Sequence, residues 1–382
     1  MSKTVKDLAL LALAVIVSTN LVWLPHFLVL PNFWGLYFSH GFSTIYKNFD
    51  GLEYIVIAKS FYDPAILASL PIGLPANYFA SHFPGYSIAI AAFAPMLGYL
   101  KSMLFVSLIS TILSVWMFYL LIRDFKLSSY PLFLSALFLV LPARWLIVHS
   151  VGSSEPLFIF LVLSTVYLFL KFEHTKKYYL LILSALAGAG AQLTRPPGIL
   201  LAASLGLYIL WQGYKKRSIS YVLSFFPLLL IPLTLFGIFY LYNQTYGDFW
   251  AYFHSGDNIH LTFPPFQVFN KSQFWVGDIW LEDLIYIFIL GFLGGVLLLK
   301  QKLYLLAFIV LTYLTASTVI AHRDISRYIL PITPFLLIAF EKVLTSKEFK
   351  IILPIILLAV YLYSQNFILQ NVAPVPNLHL FN

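Results

Sequence analysis

The 382-residue chain has no cysteine, and Asp, Glu, Lys and Arg together make up only 10% of it. Without thiols there can be neither a disulfide framework nor a thiolate metal site. Soluble domains carry about 25% charged residues; so low a value excludes a soluble enzyme and a disordered chain alike. Other signatures are also missing. There is no phosphate-binding P-loop, no GxGxxG and no HExxH spacing. A GxSxG nucleophile elbow is absent as well, and no run of fixed-period repeats divides the chain. What is present is apolar: 60% of residues are hydrophobic and the mean hydropathy is +0.87. These values describe an all-α polytopic membrane protein, a single transmembrane domain over 1–382.

A membrane-crossing helix needs about 20 apolar residues. Runs of that kind are expected at 8–30, 102–122, 128–148, 155–170, 178–194, 196–212, 219–242, 284–299, 303–321, 328–342 and 351–370, about 11 in all. The first follows Lys3 and Lys6 like a secretion signal, but it is too long and lacks a small-residue cleavage site. It reads as an uncleaved first span. The net charge of +8 comes from short clusters between spans, including Arg123/Lys126, Lys171/Lys176/Lys177, Lys215/Lys216/Arg217, Lys300/Lys302 and Lys342/Lys347/Lys350. This is positive-inside topology rather than a nucleic-acid surface, and no nucleic-acid partner is expected. Alternation holds only if 84–100, which carries Pro84 and Pro95, is a partial or re-entrant helix. The large non-cytoplasmic segments are then 31–83 and 243–283. Within the first, 49–63 has the pattern of a short helix lying in the membrane interface.

Ionisable groups in or at the ends of membrane helices are costly and are functional candidates by default. Here they are Asp50, Glu53, His82, Arg144, His149, Glu155, Arg195, Asp248, Asp257, His260, His322, Arg323, Asp324 and Arg327. All except Arg144 fall at the outer rim. Each also has a plainer structural role open to it. Asp50 and Glu53, one helical turn apart, could be a solvated helix face. Ser153-Ser154-Glu155-Pro156 could simply be a helix start. Arg195 could form a structural salt bridge, Arg144 could pair with a carboxylate, and Arg323-Asp324 could be a local ion pair.

Nucleotide sugars and ATP are not supplied on the outer face, so group transfer there needs a lipid-borne activated substrate. Moving a sugar from a polyprenyl phosphate requires a carboxylate to take the proton of the attacking hydroxyl. It also requires cations or hydrogen-bond donors for the departing phosphate. Asp50 suits the first task; Arg195, Arg327 and His149 are candidates for the second.

Phe49-Asp50-Gly51 followed by Tyr54 and Ile57-Ala58 resembles the W-D-x-x-x-Y-x-x-I-A stretch in the first external loop of GT-C glycosyltransferases. The likeness is greatest to PIG-V-like mannosyltransferases and their prokaryotic relatives. Similar stretches follow in the same order: His82-Phe83-Pro84-Gly85-Tyr86, Ser154-Glu155-Pro156, Thr194-Arg195-Pro196-Pro197-Gly198, Tyr246-Gly247-Asp248-Phe249 and Arg327-Tyr328 with Pro331. The usual tryptophan is replaced by Phe49, and Glu53 is an additional acid. The resemblance implies a membrane enzyme, an inverting transferase using a polyprenyl-phosphate monosaccharide, often mannose, without nucleotide, cofactor or obligatory metal. Its acceptor would be a glycan, lipid or protein. Asp50 would be the general base, with Glu53, Tyr54, His82, His149, Glu155, Arg195, Asp248, Arg323 and Arg327 lining the substrate site. Few charges and the absence of a eukaryotic retention signal favour a prokaryotic plasma membrane with the site on its outer face, the ER membrane being the alternative in a eukaryote. A transporter or flippase of lipid-linked saccharide, or a non-catalytic assembly factor, are the alternatives; the first predicts inverted repeats, which the sequence does not show.

Overall fold

The structure, a computed structural model, describes residues 3–70, 73–255, 261–270, 272, 276, 281–322, 324–375 and 377–381. Among the described residues it is all-helical, with only isolated β-bridges. Among the described residues six helices are long and apolar enough to cross a membrane. They are α1 (Lys3–Phe27), α4 (Tyr99–Asp124), α7 (Glu155–Thr175), α10 (Phe226–Tyr246), α11 (Leu281–Lys300) and α14 (Lys347–Gln370). The expected span 128–148 is instead a pair, α5 (Pro131–Val140) and α6 (Ala143–His149), bent by 76°. Pro142 sits at the break, where it cannot donate to the helical ladder. Shorter helices α8 (Tyr178–Thr194), α9 (Gly198–Lys216), α12 (Tyr304–Thr318) and α13 (Ile325–Ala339) match the remaining expected spans. This is a polytopic membrane fold.

The segment 84–100 forms α3 (Gly85–Leu97), 13 residues long, or about 20 Å at 1.5 Å per residue. A hydrocarbon core about 30 Å thick exceeds that reach. The chain then reverses at Gly98, whose φ of 76° is open to glycine without steric cost, and α4 returns along α3. The helix expected at 49–63 is α2 (Gly51–Ser60). It is covered more fully than an amphipathic pattern suggests: Leu52, Tyr54, Ile55, Val56 and Ile57 are all buried, against α3 and α4.

The core is built around α4, α7 and α8, with α9, α12 and α13 beyond. On the periphery, α1 exposes Leu10, Leu13, Val17, Leu21 and Leu24, and α14 exposes Ile351, Ile352, Ile355 and Leu358. Apolar stripes of this extent are tolerated against lipid tails, not against water. Chain direction sorts the helix ends. α7, α9 and α11 end in or beside the lysine clusters, whereas α8 ends at Arg195, α7 begins at Glu155 and α13 begins beside Asp324. The carboxylate- and arginine-bearing ends thus lie together, away from the lysines.

Two glycines set how closely the elements approach at that end. A Cβ on Gly85 would lie 2.8 Å from Thr194 Cα and 2.9 Å from the Leu193 carbonyl carbon. On Gly198 it would lie 2.5 Å from Gln192 Cα. Both clashes involve backbone, which cannot swing away. We expect Gly85→Ala and Gly198→Ala each to cost about 1–3 kcal/mol, read as a lower melting temperature in detergent. Gly206→Ala, with nothing within 4 Å of its Cβ, should gain about 0.5–1 kcal/mol from helix propensity.

Candidate active site

The left-handed backbone at Phe49, φ 48°, costs a bulky L-residue about 1–2 kcal/mol. It carries the chain into α2 with Asp50 at the helix entrance. The Phe49 ring stacks on Phe367 of α14 at 5.6 Å between centroids, and the Arg327 guanidinium lies over the Phe49 ring at 4.6 Å. Arg327 comes from the start of α13 and donates through Nη2 to Asp50 Oδ2 at 2.8 Å. Through Nε it also bonds Glu155 Oε1. Arg195, extended between α8 and α9, places Nη1 on the same Glu155 oxygen and on Ser154 Oγ, the latter at 2.9 Å. Ser153 Oγ donates to the other carboxylate oxygen of Glu155.

Glu155 is thus in the first turn of α7 as a helix start would have it, and Pro156 follows. Ser154, at the N-cap position, makes no capping bond. Its hydroxyl instead joins Tyr54 (2.9 Å) to Arg195. Tyr54 is 4% exposed, and burial pushes its pKa up to about 12 against the pull of Arg195. At neutral pH it is an O–H donor. Ser87 Oγ bonds the Tyr54 carbonyl at 2.8 Å, and the Tyr54 ring meets His82 edge to face.

These groups border a cavity of about 380 Å³, within the range of small-molecule sites. Asp50, Tyr54, His82, Arg195 and Arg327 line it. Glu155 lies behind the lining, its side chain 3% exposed. The others are placed elsewhere. Glu53 is on α2, outside the lining residues. His149 is 1% exposed, bonds the Leu139 carbonyl at 3.0 Å and packs on Trp145. Asp248 holds its own loop, accepting from the Trp250 amide (2.9 Å) and meeting His254 Nδ1 at 2.6 Å; the His254 bond lowers its pKa. Arg323, Asp257 and His260 fall outside the described residues. Asp324 does line the cavity, and among the described residues it pairs with Arg144 at 3.6 Å. Arg144 in turn lies 4.1 Å over the Phe367 ring of the same stack.

Sequence reasoning missed part of the wall. Tyr78, Tyr252 and the stretch Gln370–Ala373 line the cavity too. The last is held by a bridge between Asn48 and Val372 and by the Ala373 amide on the Lys47 carbonyl at 2.8 Å. Neutral amides just past a span give no charge signal. Among the described residues, no three histidine or carboxylate groups gather in a way that could hold a metal ion.

No protein-family model matches the chain, and no curated protein matches it in sequence. Among solved structures it resembles ArnT from Cupriavidus metallidurans, bound to undecaprenyl phosphate in that crystal structure. The TM-score is 0.54 at 12% identity, over 86% of this chain and 59% of that one. The fold is the GT-C membrane fold. The chain spans about three fifths of the length of the ArnT chain it matches.

Burial alone would raise the Asp50 pKa; Arg327, with His82 and Arg195, outweighs it and holds the value at about 2. A carboxylate depressed in this way is fully ionised above its unfolded value of about 3.9, and its stabilising pair is lost only as pH falls toward 2. Between pH 5 and 8 the pair should therefore contribute no slope to stability. Glu155 behaves differently on substitution: Glu155→Leu leaves Arg195 without a carboxylate and Arg327 with Asp50 alone, and should cost about 3–5 kcal/mol, measured by thermal unfolding in nanodiscs. An unchanged melting temperature would contradict the network.

Proposed function

We propose that this GT-C chain transfers a monosaccharide, mannose by the sequence resemblance, from a polyprenyl phosphate to a glycan, lipid or protein acceptor, with inversion. The observation that carries this reading is the joint placement of Asp50, Arg195 and Arg327 on one cavity. A carboxylate and two guanidiniums there provide a proton acceptor and a phosphate cradle within one space. The fold of a protein crystallised with undecaprenyl phosphate adds support for a polyprenyl-phosphate donor.

In this reading the acceptor hydroxyl approaches Asp50, and the departing phosphate faces Arg195 and Arg327. Guanidiniums suit that role because their planar forks match phosphate oxygens two at a time. Tyr54 donates a hydrogen bond, and Tyr78, His82 and Tyr252 offer ring faces to the sugar. Glu155 orients the arginines without touching substrate. The cavity opens on the non-cytoplasmic side, since the lysine clusters mark the other helix ends; we place the enzyme in a prokaryotic plasma membrane.

Membranes containing the protein, given radiolabelled polyprenyl-phosphate mannose and a lipid extract, should form a labelled product. Asp50→Asn should lower the rate by about 10²–10⁴-fold, the usual range for losing a general base, with expression unchanged. Arg195→Ala should raise the KM for the donor. Full activity in Asp50→Asn would sink the assignment of the base.

A further inference from the structure

Asp50 lies where a base is needed, yet its carboxylate is occupied by Arg327 at 2.8 Å. The same guanidinium is also needed to face the phosphate. Among the described residues three guanidiniums and three carboxylates pair off here: Arg327 and Arg195 with Asp50 and Glu155, and Arg144 with Asp324. A phosphate adds a negative charge, and of the two guanidiniums that line the cavity Arg327 is the one that also holds a cavity-lining carboxylate. Of these carboxylates, Glu155 cannot yield one. It is buried, lies behind the cavity lining, and has both oxygens taken by Ser153, Arg195 and Arg327. Asp50 can, because 34% of its side chain is exposed and it lines the cavity.

We infer that Arg327 is exchanged between two anions: it holds Asp50 until a donor phosphate claims it, pivoting on Glu155, so that Asp50 is released as a base only once the donor is seated. This rests on the polyprenyl-phosphate reading above. Glu155 is then a positioning residue. Its bond to Nε fixes one edge of the guanidinium, leaving Nη2 to leave Asp50 for a phosphate oxygen over a short arc above the Phe49 ring. Once freed, Asp50 still faces His82 and Arg195, with Tyr54 and Tyr328 nearby and Asp324 in the same cavity wall. In the transfer step the acceptor's proton goes to Asp50 and its oxygen bonds the anomeric carbon. The bond from that carbon to the phosphate oxygen breaks, and its electron pair leaves on the phosphate beside Arg327. The arrangement ties the strength of the base to occupancy of the donor site.

The test is binding of undecaprenyl phosphate to the full chain in nanodiscs at pH 7, for wild type, Asp50→Asn, Arg327→Gln and the double variant. Removing the competing carboxylate should tighten binding by about fivefold or more, within the usual range of coupling between sites. That gain should vanish in the Arg327→Gln background. Equal or weaker binding by Asp50→Asn overturns the exchange. A gain of the same size without Arg327 also overturns it, since plain like-charge repulsion would then explain the result. Should Arg327→Gln not fold, Arg327→Lys serves, because an ammonium lacks the fork that bridges Asp50 and Glu155. Absence of binding by the wild type would defeat the donor reading itself, and this inference with it. Kinetics supply a second readout. The acid limb of kcat reports the enzyme–substrate complex and that of kcat/KM the free enzyme. Exchange places the first about one pH unit or more above the second; coincident midpoints overturn it.

Discussion

The cavity end of this protein depends on one buried carboxylate. Glu155 receives Arg195 from the α8–α9 junction and Arg327 from the start of α13, while its own helix begins against α4 through Ser114 Oγ and the Pro156 carbonyl, 3.0 Å apart. A lone carboxylate in such a place would be prohibitively costly. Two guanidiniums and a serine hydroxyl make it tolerable, and in doing so fix the relative positions of three helix starts and ends. Asp50, Tyr54 and the cavity wall are arranged around that fixed point.

A membrane protein builds such a point differently from a soluble one. Lipid provides no hydrophobic drive between helices, so close backbone approach and polar contacts carry the association. Gly85 and Gly198 supply the close approach at Thr194 and Gln192. Serine and tyrosine hydroxyls supply the polar contacts, as where Tyr86 reaches both the Met103 carbonyl and Ser107 Oγ, at 2.8 and 2.7 Å. The short helix α3 and the bent pair α5–α6 follow from the same economy. Neither crosses as one straight rod.

The aromatic stack of Phe49 and Phe367 joins two ion pairs into one unit, with Arg327 over one ring and Arg144 over the other. Guanidiniums are weakly hydrated and stack readily on aromatic faces, so the stack holds both cations without consuming their hydrogen-bonding capacity. Substituting Phe49 for the tryptophan of the resembling motif keeps a ring in that place. The left-handed backbone at Phe49 is the strain that puts it there.

The sequence by itself determined the medium, the apolar segments that become helices, and the gathering of charge at one rim. Long apolar runs and lysine clusters are local signals, and bilayer thickness leaves them little freedom. Ionisable groups beside spans singled out Asp50, His82, Arg195 and Arg327 together with Glu53, His149, Glu155 and Asp248, and the family resemblance added Tyr54. The sequence did not reveal which charges meet. Glu155 and Arg327 are 172 residues apart, Asp50 and Arg327 277, and no local pattern carries such pairings. Nor could it separate Glu155, which holds the arginines from behind, from Asp50, which faces the cavity, or send His149 to a backbone carbonyl. Those distinctions are set by burial and by partner geometry, and both exist only once the helices have packed.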